Sequence, residues 1–239
     1  MSDSPISAQI FELATRVFPD GGTYLEAGAN DGIFFSNTYE LEKLGGGKWR
    51  GILIEPSPVA FQLLLKNRPN NHLFNCALVG SLSFNKICGT FLSGSPVSTV
   101  VPELRHQDIK PPKHKITAIW RAIIWKSLKV RRLPKLIDVP ARTLASLCED
   151  LRIESLEVMI LDVEGYELSV LEGFGAIRPK ILVVETRASQ ALDIATILCE
   201  MEYVQIDCLS RFKRSNQQSD IHDFQDFVWV QRSVAMKCL

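Results

Sequence analysis

Several segments of this chain carry apolar residues on both faces instead of only on alternate residues. Residues 23–27, 49–55, 72–79, 157–161 and 180–185 read in this way. A strand with one wet face alternates apolar and polar side chains, so these runs predict strands covered on both faces. Segments of helical period separate them. Residues 6–18 carry apolar side chains at 6, 10, 13, 14, 17 and 18, and residues 58–66, 144–151 and 189–201 also read as helix. Alternating strands and helices predict an α/β fold, a mostly parallel sheet with helices on both faces. Residues 203–208 add a strand, and residues 227–230 a last one, antiparallel at the sheet edge. The length of 239 residues suits one domain over 1–239. Such a sheet binds ligands beyond the carboxyl ends of its strands.

The first of those ends carries the most information. Residues 24–36 read Tyr-Leu-Glu-Ala-Gly-Ala-Asn-Asp-Gly-Ile-Phe-Phe-Ser. The apolar run after Gly32 predicts the opening of a helix that continues over 37–44 and stops at Gly45-Gly46-Gly47. Gly28 and Gly32, with Asn30 and Asp31 between them, let backbone approach a ligand closely. The spacing is Glu-x-Gly-x-x-x-Gly, not the Gly-x-Gly-x-x-Gly of dinucleotide sites, which argues against a nicotinamide-dependent oxidoreductase. A pyrophosphate wants bare N–H groups at a helix N-terminus. Glu26 puts a carboxylate there and suits a cationic ligand, such as the amine or sulfonium of S-adenosylmethionine. The plainer alternative is a strand-to-helix turn with glycine for steric reasons. Glu55 ends the second strand, before Pro56, where a carboxylate accepts both hydroxyls of a ribose; a surface Glu before a loop is the alternative. Asn75, Cys76 and Ala77 are expected to flank an adenine.

Lys+Arg 27 balance Asp+Glu 27, so bulk charge does not mark a nucleic-acid binder. Six scattered cysteines, with no Cys-x-x-Cys, fit reduced thiols in the cytoplasm better than a disulfide framework or a zinc site. Residues 1–9 lack a basic and then apolar leader, and no apolar run reaches the ~18 residues of a spanning helix. One stretch breaks the pattern, a basic insertion at 96–135. Residues 105–135 hold ten Lys or Arg and one acid, Asp108. As a helix, residues 117–129 put Trp120, Ile123, Ile124 and Leu128 on one face. A lid over the site is one reading. Contact of 117–132 with a membrane surface or a lipid-linked acceptor is the other.

Carboxylates gather at two further strand ends. Residues 157–161 run into Asp162-Val163-Glu164-Gly165-Tyr166-Glu167, and residues 180–185 end in Glu185. Acids at a ligand-facing edge are costly unless paired or functional. Asp162, Glu164 and Glu185 are also able to gather a Mg²⁺ through hard oxygens, although their spacing demands no metal.

These segments together resemble FkbM-type methyltransferases, a branch of the class I S-adenosylmethionine-dependent fold. The resemblance rests on Glu-Ala-Gly-Ala-Asn-Asp-Gly (26–32), Ile-Leu-Ile-Glu-Pro (52–56), Cys-Ala-Leu-Val-Gly (76–80), Arg-Thr-Leu-Ala-Ser-Leu (142–147) and Val-Val-Glu (183–185). Its most specific block is Ile-Leu-Asp-Val-Glu-Gly-Tyr-Glu-Leu-Ser-Val-Leu-Glu-Gly (160–173). Glu26 stands where many relatives carry Asp. The insertion varies among relatives, so acceptor specificity does not carry over. The resemblance implies a Rossmann-like, seven-stranded sheet with the last strand antiparallel. It also implies methyl transfer, usually to an oxygen, with hydroxyls of sugars or polyketide-like products as common acceptors.

The chemistry has its own demands. Methyl transfer from a sulfonium is an in-line displacement, so the acceptor oxygen must be held at near-contact distance. A sugar hydroxyl has a high pKa and calls for a general base. Asp162 and Glu164 are the candidates, with Glu185 third. A structural alternative has Glu164 capping the next helix or pairing with Arg142. His72 lies at the wrong end of its strand, and His106, His114 and His222 fall in loops. A non-catalytic nucleoside-binding module is the remaining alternative, and intact Glu26, Glu55, Asp162 and Glu164 argue against it.

Overall fold

A computed structural model describes residues 6–34, 36–80, 87–89, 138–209 and 224–238. The insertion at 96–135 and its segment 117–132 lie outside the described residues, as do His106, His114 and His222. In chain order the elements are α1 (Ser7–Val17), β1 (Gly22–Ala27), α2 (Tyr39–Leu44), β2 (Trp49–Ile54), α3 (Pro58–Asn67), β3 (His72–Phe74), β4 (Ala77–Leu78), β5 (Ile87–Gly89) and β6 (Asp138–Arg142). They continue with α4 (Leu144–Leu151), β7 (Val158–Leu161), α5 (Glu167–Glu172), β8 (Ile181–Arg187), α6 (Ala191–Glu200), β9 (Tyr203–Leu209), β10 (Phe224–Gln231) and α7 (Arg232–Cys238).

Four of the five runs form strands buried on both faces, β1, β2, β7 and β8, whereas β3 at the sheet edge is exposed or half-buried. Leu25, Ala27, Met159, Leu161, Leu182 and Val184 pack on one side with Leu147 of α4, Val170 of α5 and Leu198 of α6. Tyr24, Val158, Ile160, Ile181 and Val183 pack on the other with Ile10 of α1, Leu41 of α2, Leu64 of α3 and Val234 of α7. The seven strands run β3-β2-β1-β7-β8-β10-β9. The first five are parallel, and β10 is antiparallel to both neighbours. This is the expected mostly parallel, Rossmann-like sheet with helices on both faces.

Four expectations need correction. The last strand is antiparallel but not at the edge. β10 sits between β8 and β9, and β9 is the edge strand. An apolar pattern marks a strand as buried without saying which neighbours bury it. The third strand is two pieces, because Asn75 turns the chain away by donating Nδ2 to Glu55 O and Pro56 O. β4 then joins β6 and β5 in a small second sheet. The apolar run after Gly32 does not open a helix. Asp31 Oδ1 accepts from Ile33 N and Phe34 N, a side-chain turn that spends the donors, and α2 starts only at Tyr39. Finally Arg142, considered as a partner for Glu164, pairs with Asp150 and bonds Ser146. Thr143 caps α4 in a reciprocal box with Ser146.

Candidate active site

The carboxyl edge of the sheet is organised as one register row. Ile54, Ala27, Leu161, Val184 and Phe227 stand side by side on β2, β1, β7, β8 and β10. One residue further on, the same five strands present Glu55, Gly28, Asp162, Glu185 and Asp226. Four are carboxylates, and the gap between Glu55 and Asp162 is a glycine. Gly28 lies at φ +89°, and a Cβ there would come within 2.0 Å of Asp162 O. The backbone is therefore bare where the row needs room. Gly28 N and Ala29 N both donate to Ile54 O, which draws the bend tightly over β2.

Glu55 is almost fully buried. Its Oε2 accepts from Asn30 N at 2.8 Å and its Oε1 from Ser57 N at 2.7 Å. Asn30 holds this position at φ +50°, a left-handed conformation that Asn tolerates. Each carboxylate oxygen keeps a second lone pair, so two ribose hydroxyls still find acceptors. Burial pushes the Glu55 carboxyl up to about 7, with repulsion from Asp162 and Glu26 adding to it. A diol needs the ionised form. For the methyl donor the resemblance implies, affinity of its spent form S-adenosylhomocysteine is thus expected to weaken by up to ~10-fold per pH unit below about 7. The apo protein goes the other way. A carboxyl whose pKa is raised on folding contributes stability that is present below its ordinary value of 4.5 and lost as pH rises through about 7. Calorimetric titration of Glu55→Gln beside the native chain checks both, and a pH slope that survives the substitution refutes the assignment.

Glu26 does not take the place expected of it. It is fully buried, and its carboxylate accepts from Ser36 Oγ, Asn37 N and Thr38 Oγ1. It holds the segment entering α2 instead of offering itself to a ligand. Burial raises its pKa against those bonds. Arg68 works beside it, itself fully buried, donating to Gly32 O, Ser36 Oγ and Tyr24 Oη and pairing with Glu42. Cys76 and Ala77 offer no side-chain surface either. Cys76 is 4% exposed and Ala77 0%, both packed in apolar clusters, and burial pushes the Cys76 thiol up to about 12. Asn30, Asp31, Pro56 and Gly28 are half-buried and remain reachable, whereas Gly32 is buried.

On the far side of Gly28 the acids converge. Asp162, Glu164 and Glu185 each bring a carboxylate oxygen within 4.8 Å of the others. That donor set is of the kind a hard divalent cation takes. Glu164 reaches it from φ +57°, followed by Gly165 at φ +100°. Asp226 completes the row opposite Glu185 and is 2% exposed. Sequence reading passed over it. Its place depends on β10 pairing with β8, and no local pattern encodes that. His72 is exposed at the start of β3, away from this edge.

The profile of the methyltransferase FkbM domain matches residues 26–204, from the buried Glu26 through β8 to the start of β9. The chain belongs to the FkbM methyltransferase family. Its cofactor is S-adenosylmethionine, and the nicotinamide alternative falls with that assignment. Comparison with curated proteins gives no match. Two solved structures are similar to this FkbM chain over most of its length. One is a candidate RNA methyltransferase from Pyrococcus horikoshii, 11% identical, covering 94% of this chain and 82% of its own, with TM-score 0.46. The other is a TehB-like S-adenosylmethionine-dependent methyltransferase from Corynebacterium glutamicum, 10% identical, covering 93% and 86%, with TM-score 0.41. No helix among the described residues is long and apolar enough to cross a membrane.

Proposed function

We propose that this FkbM chain is an O-methyltransferase whose acceptor is a hydroxyl of a sugar, a glycan or another small natural product. The observation that carries the reading is the convergence of Asp162, Glu164 and Glu185 on one side of Gly28, with Glu55 on the other. The donor lies across the glycine gap, its ribose on Glu55 and its sulfonium toward Asp162. Asn30 and Asp31 border the donor on the bend, and Pro56 borders it beyond β2. The acceptor enters over Glu164 and Glu185, where a carboxylate accepts the hydroxyl proton as the carbon–oxygen bond forms. A neutral polyol suits that surface. A phosphate backbone would meet carboxylates of like charge, which supports a small-molecule or glycan acceptor over a nucleic acid.

A screen with methyl-labelled S-adenosylmethionine tests this, using sugars, lipid-linked glycans, small polyketides and a structured RNA as acceptors. Label on a hydroxyl of one of the first three is the expected result. Label on the RNA, or none above the protein-free control while the chain binds the donor, refutes it. Repeating a productive reaction in excess chelator separates a carboxylate base from a metal-held alkoxide, since only the second loses turnover.

A further inference from the structure

The turn that delivers Glu164 is held from outside by side chains with no other evident task. Glu164 sits at φ +57°, a left-handed conformation that a non-glycine residue keeps only where its surroundings impose it. Here they do. Arg187 at the end of β8 donates from Nη2 to Glu164 O at 2.9 Å. Gln190, just before α6, donates from Nε2 to Gly165 O at 3.2 Å. Glu167 Oε1 accepts from Val163 N at 3.2 Å and Gly165 N at 3.0 Å. The guanidinium also lies 4.9 Å from the Phe224 ring of β10, and a Cβ on Gly165 would approach its Cζ to 2.9 Å. Arg187 is thus wedged between the turn and β10.

A second observation separates this cluster from ordinary loop packing. Four buried side-chain polar atoms among the described residues have no hydrogen-bond partner: Arg187 Nε, Gln190 Oε1, Glu167 Oε2 and Trp229 Nε1. Three of the four belong to the side chains that hold this one turn. Buried polar atoms in a folded chain are seldom left without a partner, and three of them meet at this one turn. What the arrangement secures is geometry. It fixes the one backbone conformation in which Glu164 stands beside Asp162 and Glu185.

We propose that Arg187, supported by Gln190, is a positioning residue of the methyl-transfer site, clamping the left-handed turn at Glu164 and Gly165 so that the acceptor-side carboxylates face the methyl group. The inference rests on the reading of this edge as the methyl-transfer site. It adds residues that contact neither donor nor acceptor.

The test needs no acceptor. Sinefungin carries an ammonium-bearing carbon where the donor carries its methyl sulfonium, so its charged group points at the acceptor-side carboxylates. S-adenosylhomocysteine has no charge there. The ratio of the two affinities therefore reads how well those carboxylates are placed. In the native chain sinefungin is expected to bind more tightly. In Arg187→Ala the preference should fall about tenfold, the worth of one charge-assisted hydrogen bond, with S-adenosylhomocysteine affinity within twofold. Arg187→Lys should keep part of the preference, and Gln190→Ala, the milder change, should lose part of it. Amide exchange at Val163 and Gly165 should speed up in Arg187→Ala, while exchange in β7 stays unchanged. If Arg187→Ala does not fold, the Gln190→Ala and Arg187→Lys pair carries the same readouts. An unchanged preference, or unchanged exchange at Val163 and Gly165, overturns the clamp. A native chain that binds neither compound overturns the methyltransferase reading instead, and the exchange measurement still reports on the turn.

Discussion

Gly28→Ala should cost this protein more than 3 kcal/mol of stability and remove measurable donor binding. Two effects add. A non-glycine residue at φ +89° is strained by roughly 1–2 kcal/mol. The new Cβ would also lie 2.0 Å from Asp162 O, an atom of the backbone and not the movable end of a side chain. Relief would require β1 and β7 to separate where Asp162 N donates to Ala27 O, in the middle of the sheet. At ~2–4 °C per kcal/mol for a chain of this size, the melting temperature should drop by about 10 °C. Gly46→Ala is the control. Gly46 is also left-handed, at φ +62°, but a Cβ there meets nothing within 4 Å. It should lose only the conformational part, about 1 kcal/mol. Thermal melts and calorimetry with S-adenosylhomocysteine distinguish the two. Equal shifts for both variants would mean that the close approach of Gly28 to Asp162 is not what the bend is built for.

The contrast between those glycines bears on what a sequence can reveal. Strands buried on both faces announce themselves, because Leu-Val-Val or Met-Ile-Leu has no wet side, and the parallel core of the sheet was legible for that reason. Their order was not. Nothing in Phe-Val-Trp-Val says that β10 slips between β8 and β9, so the partnership of Asp226 with Glu185 stayed hidden. Glu55 and Asp162 could be found because each follows directly on a buried strand, where an acid is out of place unless it has work. Glu26 follows the same rule and was misplaced by it. Its work is internal, on Ser36, Asn37 and Thr38, and only the path of the chain after Gly32 reveals that. Arg187 and Gln190 were invisible for the opposite reason. A polar residue after a strand is ordinary, and what sets these two apart is a pair of bonds to carbonyls 23 and 25 residues upstream.

Asp162→Asn and Glu55→Ala should fail in different ways, and the difference carries the division of labour across Gly28. Asn is nearly isosteric with Asp, so the first variant keeps the half-buried strand end and loses a proton acceptor. Its turnover should fall by about 10²–10⁴, the usual worth of a general base, with S-adenosylhomocysteine affinity within threefold. Glu55→Ala removes two acceptors from the ribose side and leaves Asn30 N and Ser57 N without their partner. Donor affinity should fall at least ~30-fold, since hydrogen bonds to a charged group contribute roughly 1.5–3 kcal/mol each. Turnover at saturating donor should stay within about fivefold, because the acceptor side is untouched. Glu55→Gln keeps one carbonyl acceptor and belongs between the native chain and Glu55→Ala. Its position on that scale tells how much of the loss is the charge and how much the loosened bend. Comparable loss of donor affinity in Asp162→Asn and Glu55→Ala would place both residues on the donor. The proton would then have to leave through Glu164 or Glu185.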